Sequence, residues 1–162
     1  MVSYTLTIAM KVLDILDPAA IVPDMRAPSK PEALQELAAV LGTLHPNIDT
    51  ARLVEVLLER EELGSTAIGE GIAIPHGKLP GIGNVVAAFG RSAHGIDFDS
   101  LDGSPTRLFF LLVAPEDSAG IHLKALARIS RLLKDRAFRE RLFAGTTRDA
   151  LFATIREEDE KY

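Results

Sequence analysis

Residues 61–78 read EELGSTAIGEGIAIPHGK, and within them a helical pattern gives way to a strand. The charged start belongs to the end of a helix that closes near Gly64. Ile72-Ala73-Ile74 is a short β-favouring run, and Pro75 holds Ile74 extended. Gly77 then lets the backbone turn sharply just after His76. The spacing predicts a strand that ends at a rim and presents an imidazole there.

Upstream of this stretch the pattern is helical. Ser29 with Glu32 has capping-box spacing, and Leu34, Leu37, Ala38 and Leu41 recur at helical intervals until Gly42. Asp49 or Thr50 caps a second helix with an apolar stripe of Leu53, Val56 and Leu57. Arg60 continues that stripe, so its stem shares the buried face and its guanidinium leaves on the core side. A snorkelling or Glu-paired arginine fits the same position. Before these helices, Ile15 to Val22 is apolar, punctuated by proline and read as extended.

Downstream, Val85 to Phe89 and Leu108 to Val113 are further short β-favouring runs, with Asp102-Gly103 marking a tight turn before the second. Helical period returns from Gly120 to Leu133, around Phe138 to Phe143, and from Thr147 to Arg156. Helices, then strands, then helices predict an α+β layered domain with a mixed sheet covered by helices.

The chain has 162 residues, 47% hydrophobic and 25% charged, which suits one compact domain. Its core is expected over about residues 12–157, followed by a short solvated acidic tail from Glu157 to Tyr162. Eighteen Lys and Arg against 23 Asp and Glu, a net charge of -5, argue against a phosphate-backbone binder, so nucleic acid is not an expected partner. Without cysteine there is no disulfide framework or thiolate nucleophile. The longest apolar run, Leu108 to Ala114, falls far short of a membrane span, and the start MVSYTLTIAMKVLDILDP lacks the form of a secretory signal. Cytoplasmic localisation without membrane insertion is expected.

Four histidines are the chemistry-bearing candidates. His45 precedes Pro46 and His94 lies between Ala93 and Gly95, both in turn or loop contexts read as solvent-facing. His76, on its constrained rim, suits a nucleophile whose orientation costs little further entropy, but equally suits a hydrogen-bonded structural histidine. From Gly71 to Ile96 there is no acidic residue, and Lys78 and Arg91 are present, so an anion is tolerated. Glycines at 64, 69, 71, 77, 81 and 83 leave backbone N–H groups accessible. Ile74 stands where a third fingerprint glycine is needed after Gly69 and Gly71, which excludes a dinucleotide loop. His122 shares a helical stripe with Leu126, Ile129 and Leu133 and faces inward at a helix start. It reads either as a satisfied core histidine or as part of an anion site, where first-turn N–H groups add roughly 0.3 to 1 kcal/mol.

Glu61, Ile68, Gly69, Ile72, Ala73, Ile74, Pro75, His76 and Gly77 together resemble the active-site signature of the enzyme IIA (EIIA) proteins of the phosphoenolpyruvate-dependent phosphotransferase system, fructose/mannitol family. The similarity continues through Gly95-Ile96-Asp97-Phe98, Leu101-Asp102-Gly103, Val113-Ala114-Pro115 and His122-Leu123. Gly64-Ser65-Thr66 with Ile74 to Lys78 looks most like the nitrogen-regulatory branch. The resemblance implies a single-domain three-layer α/β/α sandwich with a mixed β-sheet. It also implies a phosphoryl acceptor at His76, a neighbouring His122, and Arg60 helping to hold the phosphate. The implied donor is an HPr-like phosphocarrier or its nitrogen-branch counterpart, and no cofactor or metal is called for. With no IIB or IIC domain after residue 162, a stand-alone regulator is expected rather than a direct component of sugar transport. A binding module switched by phosphorylation, or a sugar-transport IIA serving a separate IIB, is the alternative. A hydrolase holding metal on His76 and His122 lacks a suitably spaced third ligand.

Overall fold

The computed structural model describes residues 10–162; the stretch 1–9, which carries most of the N-terminal signal reading, lies outside it. A 3-10 turn at Val12–Asp14 leads into β1 (Leu16–Val22), followed by α1 (Lys30–Leu44) and α2 (Thr50–Glu62). Then come β2 (Ala67–Gly69), β3 (Ile72–Ala73), β4 (His76–Leu79), β5 (Val86–Ile96) and β6 (Thr106–Pro115). The helices α3 (Ala119–Leu133), α4 (Arg136–Ala144) and α5 (Arg148–Glu160) complete the chain.

The sheet runs β1-β5-β6-β3-β2, with β4 also on β6. β5 and β6 are antiparallel, while β1 joins β5 and both β3 and β4 join β6 in parallel, so the sheet is mixed. Its two faces can be told apart from two glycines. Gly90 and Gly77 face Phe109 and Val113 on β6 and so point to the same side. A side chain at Gly90 would meet Met25, between β1 and α1, and Leu37 of α1, and one at Gly77 would meet Val56 of α2. Arg91 and His76 alternate to the other side, where Arg91 reaches Phe143 of α4 and His76 meets His122 of α3. The expected three layers are therefore present, with Phe89, Phe98, Phe109 and Phe110 filling the core between them.

Three expectations change. The strand at Ile72 does not end at His76 but resumes there and runs on to Leu79. Ile72 faces Leu108 and His76 faces Leu112 at the same offset, so β3 and β4 are one strand interrupted at Ile74-Pro75. Proline has no N–H for the ladder, yet its carbonyl still accepts from Leu112 N–H at 2.9 Å. Ser29 stands at the start of α1 without capping it; its hydroxyl donates to the Glu32 carboxylate at 2.9 Å. The acidic end is not a solvated tail either. α5 continues to Glu160 and buries Glu158 and Asp159, because Asp159 receives the Val12 and Leu13 N–H groups, each at 3.1 Å.

Candidate functional site

His76 opens β4, the half-strand that runs along the C-terminal part of β6, and α3 starts just after β6 ends. That connection folds the first turns of α3 back over the strand and sets the His122 ring 5.4 Å from the His76 ring, edge to face at 81°. Gly77 brings the third element in: its position admits the close approach of Val56, where an added Cβ would lie 2.7 Å from Val56 Cγ1. The C-terminal end of α2, with Arg60, is thereby brought to the imidazole.

The His76 Nδ1 lies 2.8 Å from the Ile74 carbonyl. A carbonyl only accepts, so Nδ1 carries the hydrogen and, in the neutral ring, Nε2 keeps the lone pair. Burial pushes the His76 pKa below its ordinary value; the Ile74 carbonyl works against that, the Arg60 guanidinium adds to it, and Glu61 opposes it. The ring is partly exposed rather than walled off from solvent.

His122 is 6% exposed, and its Nδ1 is buried without a hydrogen-bond partner. A buried polar atom left unpaired is unusual and marks a place where a partner is missing. Burial, then the neighbouring His76 and Lys78, lower its pKa. Both imidazoles are therefore biased to the neutral form in surroundings made positive by Arg60 and Lys78.

Arg60 is placed beside His76, although not on the buried stripe as expected. That stripe is Leu53, Leu57 and Glu61, while Arg60 is half-buried and donates from Nη1 to Gly64 O at 2.9 Å. Arg91 is not at the site. It faces Leu108, four residues along β6 from the partner of His76, and donates to Phe143 O at 2.6 Å. Gly69 and Gly71 lie at that same distant end, in the β2–β3 hairpin. Glu61, Thr66 and Lys30 form a buried cluster behind the imidazole; Glu61 belongs to the signature the sequence resembles, but no role is assigned to it there. An acidic residue four after Leu57 and eight after Leu53, on an otherwise apolar stripe, was the available signal. Among the described residues no group of three or more His, Asp or Glu side chains is arranged to hold a metal ion.

Residues 14–158 match the family described as phosphoenolpyruvate-dependent sugar phosphotransferase system, EIIA 2. The chain belongs to this family. Phosphotransfer, broadly, is the activity the EIIA 2 family implies. The EIIA chain is 47% identical over 146 residues to a nitrogen regulatory protein of Bradyrhizobium diazoefficiens, covering 90% of this chain and 95% of that protein. It is 37% identical over 150 residues to the fructose-specific EIIABC component of Bacillus subtilis, covering 93% of this chain and 24% of that protein. The crystal structure of nitrogen regulatory protein IIA-Ntr from Neisseria meningitidis superposes with a TM-score of 0.81 at 34% identity, covering 88% of this chain and 97% of that one. No helix among the described residues is long and apolar enough to cross a membrane.

Proposed function

We propose that this EIIA protein accepts a phosphoryl group on His76 Nε2 from a phosphohistidine of an HPr-like carrier or its nitrogen-branch counterpart, and acts mainly as a stand-alone cytoplasmic regulator. The observation that carries the reading is the Nδ1–H bond to Ile74 O, which leaves Nε2 as the free nucleophile on a ring that meets the His122 ring edge to face.

The step balances without moving a proton. The Nε2 lone pair attacks phosphorus in line with the donor nitrogen; one N–P bond forms as the other breaks, and the donor imidazole leaves with the electron pair. Positive charge then spreads over the His76 ring, and its Nδ1–H bond to Ile74 O becomes charge-assisted. The arriving group carries about -1.5 to -2 charges, and a cation at about 4 Å contributes about 4 kcal/mol at an effective dielectric of 20. Arg60 supplies that charge, and His122 orients the phosphoryl oxygens.

Incubation with phosphoenolpyruvate, enzyme I and the carrier is expected to place an acid-labile, base-stable phosphate on His76. His76→Ala is expected to take up none, and persistent labelling of that variant refutes the assignment. The fructose-specific relative favours one other reading, donation to a separate IIB domain. Passage of label from the phosphorylated protein to a IIB domain supports that reading, while a changed affinity for a target without passage supports the regulator.

A further inference from the structure

Glu61 is 8% exposed, and its carboxylate has more donors than a helix end needs. It accepts from Thr66 N–H at 3.2 and 3.3 Å and from the Thr66 hydroxyl, and it pairs with Lys30 Nζ at 2.8 Å. Lys30 is itself largely buried, lies 4.8 Å from the centre of the Phe98 ring, and reaches Asp99 at 3.1 Å. On its other side Thr66 offers its carbonyl to Ile74 N–H at 3.0 Å. Ile74 in turn offers its carbonyl to His76 Nδ1–H at 2.8 Å. Hydrogen bonds linked through the backbones of two residues, Thr66 and Ile74, thus join the buried ion pair to the imidazole.

Stability alone does not account for a carboxylate at this place. The stripe is otherwise apolar, and well-packed apolar residues commonly serve as well as a buried ion pair or better. What the charge adds is direction. The Ile74 N–H bonds to Thr66 O one step beyond the Ala67–Ala73 pair of the β2–β3 ladder, so Thr66 holds the backbone of Ile74 just before Pro75, and Glu61 holds Thr66.

We propose that Glu61, held by Lys30, is a positioning residue for the phosphoryl acceptor: through Thr66 it fixes the Ile74 carbonyl against His76 Nδ1–H and keeps Nε2 free. This rests on His76 being the acceptor. Without the carbonyl the hydrogen is free to move to Nε2, which is then no nucleophile.

The test uses the full chain with 15N-labelled histidine rings, held above the ordinary imidazole pKa, where two-bond correlations read which nitrogen carries the hydrogen. The wild type is expected to show His76 as a single Nδ1–H form. Glu61→Leu is expected to show a mixture and a phosphoryl-transfer rate from the phosphorylated carrier lower by roughly tenfold, about one hydrogen bond's worth, with KM for the carrier changed by less than about twofold. Thr66→Val is expected to move both readouts the same way by less, and Thr66→Ser to recover most of the loss. If Glu61→Leu fails to fold, the Thr66 pair decides. A single Nδ1–H form and a wild-type rate in the folded variants overturn the positioning role, provided wild-type His76 takes label. No label on wild-type His76 overturns the acceptor reading instead, whatever the ring spectra show.

Discussion

His76 has to be neutral to attack, and its surroundings favour that state. Burial lowers its pKa, Arg60 lowers it further, and the Ile74 carbonyl and Glu61 only partly restore it. Proton binding at Nε2 blocks the lone pair, so transfer is expected to stay constant down to a pH below the free-imidazole value near 6.5. It then falls tenfold per pH unit below the depressed value. Arg60→Ala removes one lowering influence, so the inflection of the pH–rate profile is expected to move upward. A wild-type inflection above the free-imidazole value, or no movement in the variant, counts against this account. The same substitution is expected to slow transfer by about ten- to a hundredfold with the fold retained, since it deletes one charge stabiliser near the transferring group. An unchanged rate returns Arg60 to a purely structural role. The linkage has a definite sign as well. Both histidines have folded values below their unfolded ones, so the unfolded chain binds protons more readily, and stability is full above about pH 6.5 and declines as pH falls through the folded values. Urea titrations of His122→Gln between pH 7 and 5 are expected to show a flatter decline than the wild type; an equally steep decline removes His122 from this explanation.

The elements hold these residues together through one close approach. Gly77 on β4 lies under Val56 and Leu57 of α2, where an added Cβ would be 2.7 Å from one and 3.6 Å from the other. Gly77→Ala forces α2 away from the strand or Val56 off its rotamer, a cost of about 1 to 3 kcal/mol. Because α2 carries both Arg60 and Glu61, transfer is expected to fall along with stability. Adding Val56→Ala makes room for the new methyl group and is expected to restore part of both losses; a double variant no better than Gly77→Ala in melting temperature and rate argues that the approach of α2 is not what Gly77 protects. The helices were legible because each buries one stripe with a 3.6-residue period. The sheet was legible where its strands carry apolar β-favouring runs, as at Ile72-Ala73, Val86 to Phe89 and Leu108 to Val113. β2 (AIG) is only three residues long and β4 (HGKL) is short and largely polar, and their strand character comes from pairing with β3 and β6, which neither local pattern expresses. The site was legible where one residue faces another on adjacent turns, as with His122 on its helix stripe. It was hidden where backbone carries the contact, as in the path from Glu61 through Thr66 and Ile74.

At the scale of the whole molecule, the last helix closes the fold onto the first described residues. Asp159 is 1% exposed, accepts from Val12 and Leu13 N–H groups, and pairs with Arg128 of α3 at 2.8 Å. Lys11 adds bonds from Nζ to the carbonyls of Asp159 at 3.0 Å and Tyr162 at 2.7 Å. Three separated segments therefore meet on one carboxylate, an arrangement that composition alone reads as a solvated acidic tail. The distinction has a direct test. Deleting Glu158–Tyr162 leaves the largely buried Arg128 and two backbone N–H groups without their partner, and breaking such a pair costs about 3 to 5 kcal/mol. Arg128 lies six residues beyond His122 on α3, more than a turn away from the imidazole pair. The truncated chain, and the milder Asp159→Ala, are accordingly expected to melt well below the wild type yet to accept phosphate at a rate within about twofold of it at temperatures where they remain folded. A truncated chain that melts with the wild type would show that the clamp contributes little to stability. One that folds normally but transfers tenfold more slowly would mean that α5, acting through α3, sets the position of His122.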